Sequence, residues 1–203
     1  MDYYSQNNEQ KYITEYFHNF NNGRGGKFLE IGAFHPTVFS NTRALFERGW
    51  VGCMVEPSPT CMANIKAVYA NEPRIQLLQV AITNEDGYIK FYDAHGDAVS
   101  STELAHKEKW EKGNDKIQFS EIQVQAMSMS KLISLHGAEV DFINIDVEGS
   151  NFMLFSLLPN DFLHRLKMIC IEHDGYHQSM IQKLTSFGFK QLLLNNENLI
   201  MVK

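Results

Sequence analysis

Phe28-Leu29-Glu30-Ile31-Gly32-Ala33 reads as a short buried strand that runs into an acid and a glycine. In doubly wound sheets, ligands bind outside the carboxyl ends of the strands, where a glycine lets a ligand approach the backbone. The segment therefore nominates Gly32 as the floor of a small-molecule site, although a strand can also end in glycine for the sake of the turn alone. The neighbouring segments decide between these readings.

Upstream, Ile13, Tyr16, Phe17 and Phe20 recur at helical spacing, so Tyr3 to Phe20 is predicted as a lead-in helix. Asn21-Asn22-Gly23-Arg24-Gly25-Gly26 breaks it. Downstream, Arg43 to Gly49 is predicted helical, Trp50 to Glu56 a second strand ended by Pro57-Ser58-Pro59, Thr60 to Asn71 a helix and Ile75 to Ile82 a third strand. The pattern then changes. Tyr88 to Tyr92 reads as an added antiparallel strand, Ala94 to Asn114 as a polar stretch without a strand, and Ile117 to Met129 as an alternating strand that pairs with the insertion. Ser130 to Leu135 begins a helix, Asp141 to Val147 and Lys167 to Glu172 are two more buried strands, and Gln178 to Phe187 is a helix. Lys190 to Leu194 and Leu199 to Val202 form a final pair that turns over at Asn195-Asn196-Glu197-Asn198.

Short apolar runs alternating with helices imply crossovers and a parallel sheet, hence an α/β doubly wound fold. A terminal hairpin with a small β insertion is the outline of a Rossmann-like methyltransferase sheet, mostly parallel but antiparallel at its end. The 203 residues suit one domain, 1–203, with 1–26 as lead-in and about 86–129 as an insertion. Within it, Asp93 to Gly113 is the expected substrate lid, because long polar insertions at ligand rims commonly cover them.

Composition narrows the partners. Hydrophobic residues at 44% and charged residues at 21% are ordinary for a globular chain, and the formal net charge of −6 argues against a protein that binds by neutralising phosphates. Nucleic acid is not an expected partner. The start Met1-Asp2-Tyr3 lacks a basic-then-apolar leader, and no apolar run reaches the ~18 residues of a membrane span, so a cytoplasmic protein without a membrane partner is expected. Cys53, Cys61 and Cys170 lie far apart and read as buried free thiols. His18, His95, His106, His136, His164 and His177 fall in polar or helical contexts and are expected at the surface, and the charges around Trp110 look like a solvated helix face.

Glu56 stands about twenty residues beyond the first turn, where a carboxylate can accept hydrogen bonds from both hydroxyls of a ribose. That signal suits a nicotinamide cofactor as well as S-adenosylmethionine. However, Gly32-Ala33-Phe34-His35-Pro36 has no second or third glycine, and a pyrophosphate needs several close backbone N–H groups. A sulfonium cofactor does not. A nicotinamide-dependent oxidoreductase is therefore the weaker rival, beside a catalytically silent cofactor-binding or interaction module.

Glu30-Ile31-Gly32-Ala33, Ser40-Asn41-Thr42, Gly49-Trp50-Val51-Gly52 and Val55-Glu56-Pro57 follow one another as in the FkbM-type methyltransferases, and Val80-Ala81-Ile82 and Ser100-Ser101 continue the likeness. Asp141-Phe142-Ile143-Asn144-Ile145-Asp146-Val147-Glu148-Gly149 resembles that family's D-x-x-x-I-D-V-E-G segment most specifically. The resemblance implies an S-adenosylmethionine-dependent methyltransferase. It also implies that Glu30, Gly32, Ala33, Ser40 and Asn41 wrap the methionine part of the cofactor, that Glu56 holds the ribose, and that Pro57 and Ser58 flank the adenine. Ala81 and Ser101 would approach the same pocket, and Asp146 would lie between cofactor and acceptor. Ser40, Asn41 and Ser58 are equally suited to helix capping.

Asp146 and Glu148 end one inner strand and Glu172-His173-Asp174 end its neighbour, so both sets converge on one rim. Methyl transfer to a hydroxyl needs the acceptor proton removed or its alkoxide stabilised, which a His, a carboxylate or a carboxylate-held divalent metal can do. Asp146, Glu172 and His173 are the candidate catalytic residues. Glu148 as a helix cap and Asp174-Gly175 as a plain turn are the alternatives. The expected reaction is O-methylation of a sugar or natural-product hydroxyl, with a small molecule or glycan as acceptor.

Overall fold

The computed structural model describes residues 3–21, 24–113 and 117–203. The elements are α1 (Glu9–Asn21), β1 (Lys27–Ile31), α2 (Arg43–Glu47), β2 (Val51–Val55), α3 (Pro59–Tyr69), β3 (Ile75–Leu78), β4 (Ala81–Thr83), β5 (Gly87–Asp93) and α4 (Leu104–Gly113). They continue with β6 (Ser120–Ser128), α5 (Met129–His136), β7 (Phe142–Ile145), α6 (Asn151–Ser156), α7 (Asn160–Arg165), β8 (Met168–Glu172), α8 (His177–Ser186), β9 (Lys190–Leu194) and β10 (Asn198–Val202). A seven-stranded sheet in the order β3-β2-β1-β7-β8-β10-β9 forms the centre. Its first five strands run parallel, and β10 inserts antiparallel between β8 and β9. This is the doubly wound, Rossmann-like sheet with the terminal hairpin expected from the sequence. A second sheet, β4-β6-β5, is the insertion, with β6 antiparallel to β5 along seven residue pairs.

Strand periodicity of two assigns each face of the central sheet. Leu29, Ile31, Ile143, Ile145, Ile169 and Ile171 pack on one side, under Leu132 and Ile133 of α5, Leu154 and Phe155 of α6, and Met180 and Leu184 of α8. Phe28, Met54, Phe142 and Ile200 face the other side, under Ile13 and Phe17 of α1 and Met62 and Ile65 of α3. Trp50 completes that layer edge-on to Phe17, with ring centroids 4.6 Å apart. Because consecutive strands cross over on both faces, the order reverses between β1 and β7, and the carboxyl ends of those two strands open a crevice there.

Two local expectations are corrected and three helices are added. The lead-in helix starts at Glu9 rather than Tyr3, because the Asn8 backbone takes φ +67° and the Ser5 hydroxyl accepts the Gln10 N–H, which fixes the preceding residues as a cap. Ile75 to Ile82 is two strands, since the chain leaves the central sheet after Leu78 and Ala81 to Thr83 pairs with β6 instead. The polar insertion contains α4, and α6 and α7 carry the chain between β7 and β8. The turn residues Asn22 and Gly23, and Asn114 at the end of the insertion, lie outside the described residues.

Candidate active site

The crevice between β1 and β7 is a cleft lined by Ile31, Gly32, Val55, Glu56, Ala81 and Asp146. Gly32 sits on its floor at φ +83°, and a Cβ placed there would stand 1.6 Å from the Asp146 carbonyl oxygen. Only glycine fits, because both the backbone conformation and the space exclude a side chain. The two strand ends are cross-tied above it: Gly32 N–H donates to Val55 O at 3.0 Å and Asp146 N–H to Ile31 O at 2.9 Å.

Glu56, at the end of β2, is only 5% exposed. One of its carboxylate oxygens accepts the Phe34 N–H at 2.9 Å and the other the Ser58 N–H at 2.7 Å. The carboxylate is thereby aimed into the cleft with a further lone pair free on each oxygen, which suits a vicinal diol. Burial pushes its pKa up to about 7, against the pull of those two N–H groups and with a further push from Asp93. Beyond Glu56 the walls are Pro57, Cys61, Ala81, Ile82 and Phe91, an apolar slot suited to a flat base. At the opposite end the cleft reaches Asp146, Val147 and Glu148. A buried acid between an apolar slot and a polar end, with no glycine-rich phosphate cradle among the described residues, fits S-adenosylmethionine in shape and donor set.

Gly32, Glu56, Pro57, Ala81 and Asp146 of the expected cofactor residues line this cleft. The others point elsewhere. Glu30 faces the opposite side of the sheet, where it pairs across the strands with Asn144 and then Cys170. Thr42 Oγ1 donates to Glu30 at 2.7 Å, and Asn41 Nδ2 donates to Asn144 Oδ1 at 3.0 Å. This buried polar row bolts the start of α2 to the sheet, and burial lifts the Glu30 carboxyl to about 8, so it is held largely protonated at neutral pH. Ser40 Oγ accepts the Arg43 N–H and Ser58 Oγ the Cys61 N–H, so both act as caps. Ser58 also donates to Asp93 at 2.6 Å. Ala33 lies in the core, and Ser101 Oγ donates to Glu148 O at 2.6 Å, holding the insertion against the rim while Ser100 and Thr102 beside it line the cleft.

The acid rim lies where β7 and β8 end. Asp146, Glu148 and Glu172 each offer a carboxylate oxygen, and the three oxygens lie within 4.8 Å of one another. All three are pushed above the ordinary carboxylate range, first by burial and then by each other, with Asp174 adding to each. A carboxylate oxygen of Asp146 lies within 4.8 Å of one of Glu172, close enough for each acid to disfavour the other's charge. Asn151 organises them. Its Nδ2 donates to Glu172 at 2.6 Å, its Oδ1 accepts the Val147 N–H at 2.8 Å, and its own N–H donates to Asp174 at 3.2 Å. The turn that presents Glu148 has φ +54°, with Gly149 at +92°, an uncommon conformation for a glutamate that reaims the strand end toward the rim.

His173 does not join the rim as a free imidazole. Its Nδ1 accepts the Gly175 N–H at 3.0 Å and its Nε2 lies 3.2 Å from Asn195 O, so the ring carries its proton on Nε2 and both nitrogens are committed to backbone. His106, expected at the surface, is instead the imidazole beside the acids. It rides on α4 with its Nε2 3.4 Å from Glu148 Oε2 and without a hydrogen-bond partner among the described residues. Burial and Lys109 lower its pKa. His106, Lys109, Glu172, His173, Asp174 and Glu197 border a second, open cavity next to the cleft, with α4 as its roof. His136 and His177 are likewise half-buried, whereas His18, His95 and His164 are exposed as expected. The three cysteines are buried free thiols. Asn151, His106 and Glu148 are the rim members that the sequence reading undervalued. An Asn three residues past Glu148 at a helix start was the available signal for the first, and nothing in the local sequence marked His106.

A mostly parallel sheet with an inserted antiparallel strand is the Rossmann-like methyltransferase arrangement, and its crevice holds a glycine floor and a buried acid at the end of the second strand. The methyltransferase FkbM domain family matches residues 30–191, most of the chain, and the protein belongs to that family. Comparison by sequence with curated proteins finds no match. Among solved structures, monomeric WbdD is similar with a TM-score of 0.51 at 11% identity, over 97% of this chain and 41% of that one. The chain thus spans about two fifths of that protein's length. A putative caffeoyl-CoA O-methyltransferase from Staphylococcus aureus follows at TM-score 0.48 and 12% identity, over 96% of this chain and 82% of that one. A fibrillarin pre-rRNA processing protein from Methanococcus jannaschii has TM-score 0.41 and 14% identity, over 88% and 66%.

Proposed function

We propose that the protein transfers the methyl group of S-adenosylmethionine to an oxygen of its acceptor, a hydroxyl of a sugar, glycan or natural product. The observation that supports this most is the adjacency of the two cavities: the cofactor cleft ends at Asp146, Glu148 and Ser150, and the second cavity begins beside them at Gly149 and Glu172. Gly32 and Glu56 fix the donor so that its reactive end faces the rim, which supplies orientation, the larger part of catalysis when the leaving group is already good. A hydroxyl seated in the second cavity meets a carboxylate rim able to take its proton as the new C–O bond forms.

The same rim offers three oxygen donors suited to a divalent cation such as magnesium, calcium or manganese, with Asp146, Glu148 and Glu172 as its holders. Such an ion would stabilise an alkoxide. The free thiols agree with a reducing compartment, the cytoplasm, and no described helix is long and apolar enough to cross a membrane.

The test is a radiolabelled methyl-transfer assay against a panel of sugars, glycans and small-molecule alcohols, run with and without chelator. Label appearing in an alkali-stable ether supports the reading. Label appearing only in amines or thiols contradicts it. Loss of transfer on chelation, restored by magnesium or manganese, assigns the cation.

A further inference from the structure

The loop from β1 to α2 holds two non-glycine residues in the left-handed region, Phe34 at φ +50° and Phe39 at φ +58°. Such residues are strained and persist only where their surroundings hold them. Packing does little at the tip, because Val38 is 45% and Phe39 49% exposed. The Phe39 ring rests on that of Phe34, stacked at 6.2 Å, and Phe34 lines the cofactor cleft. What closes the loop is the His35 ring. Its Nδ1 accepts the Thr37 N–H at 3.2 Å and the Val38 N–H at 3.0 Å, with the Thr37 hydroxyl 3.3 Å away. On the other side of His35, the Phe34 N–H donates to Glu56, so the turn that His35 closes also aims that carboxylate.

We propose that His35 is a positioning residue for the cleft: its neutral ring latches the β1–α2 loop and so keeps Phe34 and Glu56 in place, and protonating Nδ1 unlatches it. The consequence for cofactor binding rests on the S-adenosylmethionine reading of the cleft. An imidazole nitrogen accepts only while it carries a lone pair, and once protonated it points an N–H at two others. The ionisable groups that touch the loop are engaged elsewhere. Glu56 takes the Phe34 N–H, and Glu30 of β1 takes the Thr42 hydroxyl at the far end. Tyr69 of α3 donates to Pro36 O at 3.3 Å and accepts from Arg43 of α2. None of these bonds falls on the Thr37 or Val38 N–H. Burial lowers the His35 pKa from 6.5, so the latch is closed at neutral pH and opens as the pH falls below that value. The competing assignment is a ring that merely packs inside the turn.

The experiment compares wild type, His35→Asn and His35→Ala at about pH 7.5 and about pH 5. An Asn side-chain oxygen can accept the N–H two residues on and does not titrate, whereas Ala offers no acceptor. Hydrogen exchange of the ligand-free protein reads the latch directly, as protection of the Thr37 and Val38 amides relative to their intrinsic rates. This readout is local to the loop, because the buried acids shift global stability the opposite way with pH. On acidification the protection should fall at least about 10-fold in the wild type, stay within about 3-fold in His35→Asn and be low throughout in His35→Ala. Calorimetry with S-adenosylmethionine then reads the cleft. Glu56 titrates near 7, so the informative quantity is the difference between proteins. The dissociation constant should rise on acidification about 10-fold further in the wild type than in His35→Asn. At about pH 7.5 His35→Ala should bind about 10-fold more weakly than the wild type. Equal pH responses of the loop amides in wild type and His35→Asn, or wild-type protection in His35→Ala, overturn the proposal. The expected protection changes in a protein that binds no S-adenosylmethionine support the latch and overturn the cofactor reading instead.

Discussion

Glu56, midway along the cleft, and the Asp146–Glu148–Glu172 rim beyond its polar end are built by opposite rules. Glu56 is a buried carboxylate with an N–H on each oxygen, which offsets part of the cost of its burial and fixes its direction. The rim gathers three carboxylates that face one another, with Asp174 adding negative charge, and among the described residues Asn151, His106 and Lys109 temper them. A compensated acid is a binding fixture. An uncompensated set is a place where a proton or a cation changes the energy, as a site that removes an acceptor proton requires.

If that contrast holds, the floor of the cleft is the most sensitive position. Gly32→Ala forces a Cβ to within 1.6 Å of backbone at a positive φ, so the strand ends must separate. Destabilisation by about 3 kcal/mol or more is expected, read as a lower denaturation midpoint with loss of cofactor binding. A stable, binding-competent variant would show that the crevice is looser than described.

Next comes the rim. Asp146→Asn is expected to lower turnover by about 10²-fold or more while leaving the cofactor dissociation constant within a few-fold. Full activity would remove Asp146 from the acceptor side. The two histidines then separate structure from chemistry. His173→Ala loses two backbone hydrogen bonds, about 1 kcal/mol each, and should lower the melting temperature by several degrees with turnover per folded molecule nearly unchanged. His106→Ala should do the reverse, because its ring has one nitrogen free beside Glu148. Rate loss confined to His173→Ala would reverse the assignment.

The smallest effect is a pH slope. Glu30 and Glu56 titrate near 8 and 7 in the folded protein, against about 4 when unfolded, and the rim acids shift the same way. Between these limits the folded state binds more protons than the unfolded one, so stability falls as pH rises. The melting temperature of the ligand-free protein should therefore be highest near pH 5 and decline toward pH 8. A flat profile would mean that the carboxylates are compensated after all.

The sequence made the sheet legible because each strand is a short apolar run bounded by turn residues, and the hairpin at Asn195–Asn198 announced itself by the same logic. Gly32 and Glu56 were legible as strand-end positions because the apolar runs before them stop there, which brings both to the crevice. Glu30 and Asn41 misled for a physical reason: strand periodicity puts Glu30 on the face away from the cleft, and a motif read as a string does not show which face a residue takes. His106 was hidden because α4 reaches the rim through tertiary packing of an insertion, which no local spacing encodes. His173 looked catalytic in sequence, yet the turn back from β9 takes up its ring.

The account stands or falls on Glu56, whose side chain orients the cleft. Isothermal titration of S-adenosylmethionine into the wild type and Glu56→Ala measures it directly, with circular dichroism confirming that the variant folds. The wild type should bind, and the variant should bind about 10- to 100-fold more weakly, since charge-assisted bonds to ribose contribute about 1.5–3 kcal/mol each. Equal affinity in the two proteins would place the ribose elsewhere and contradict the reading of the cleft.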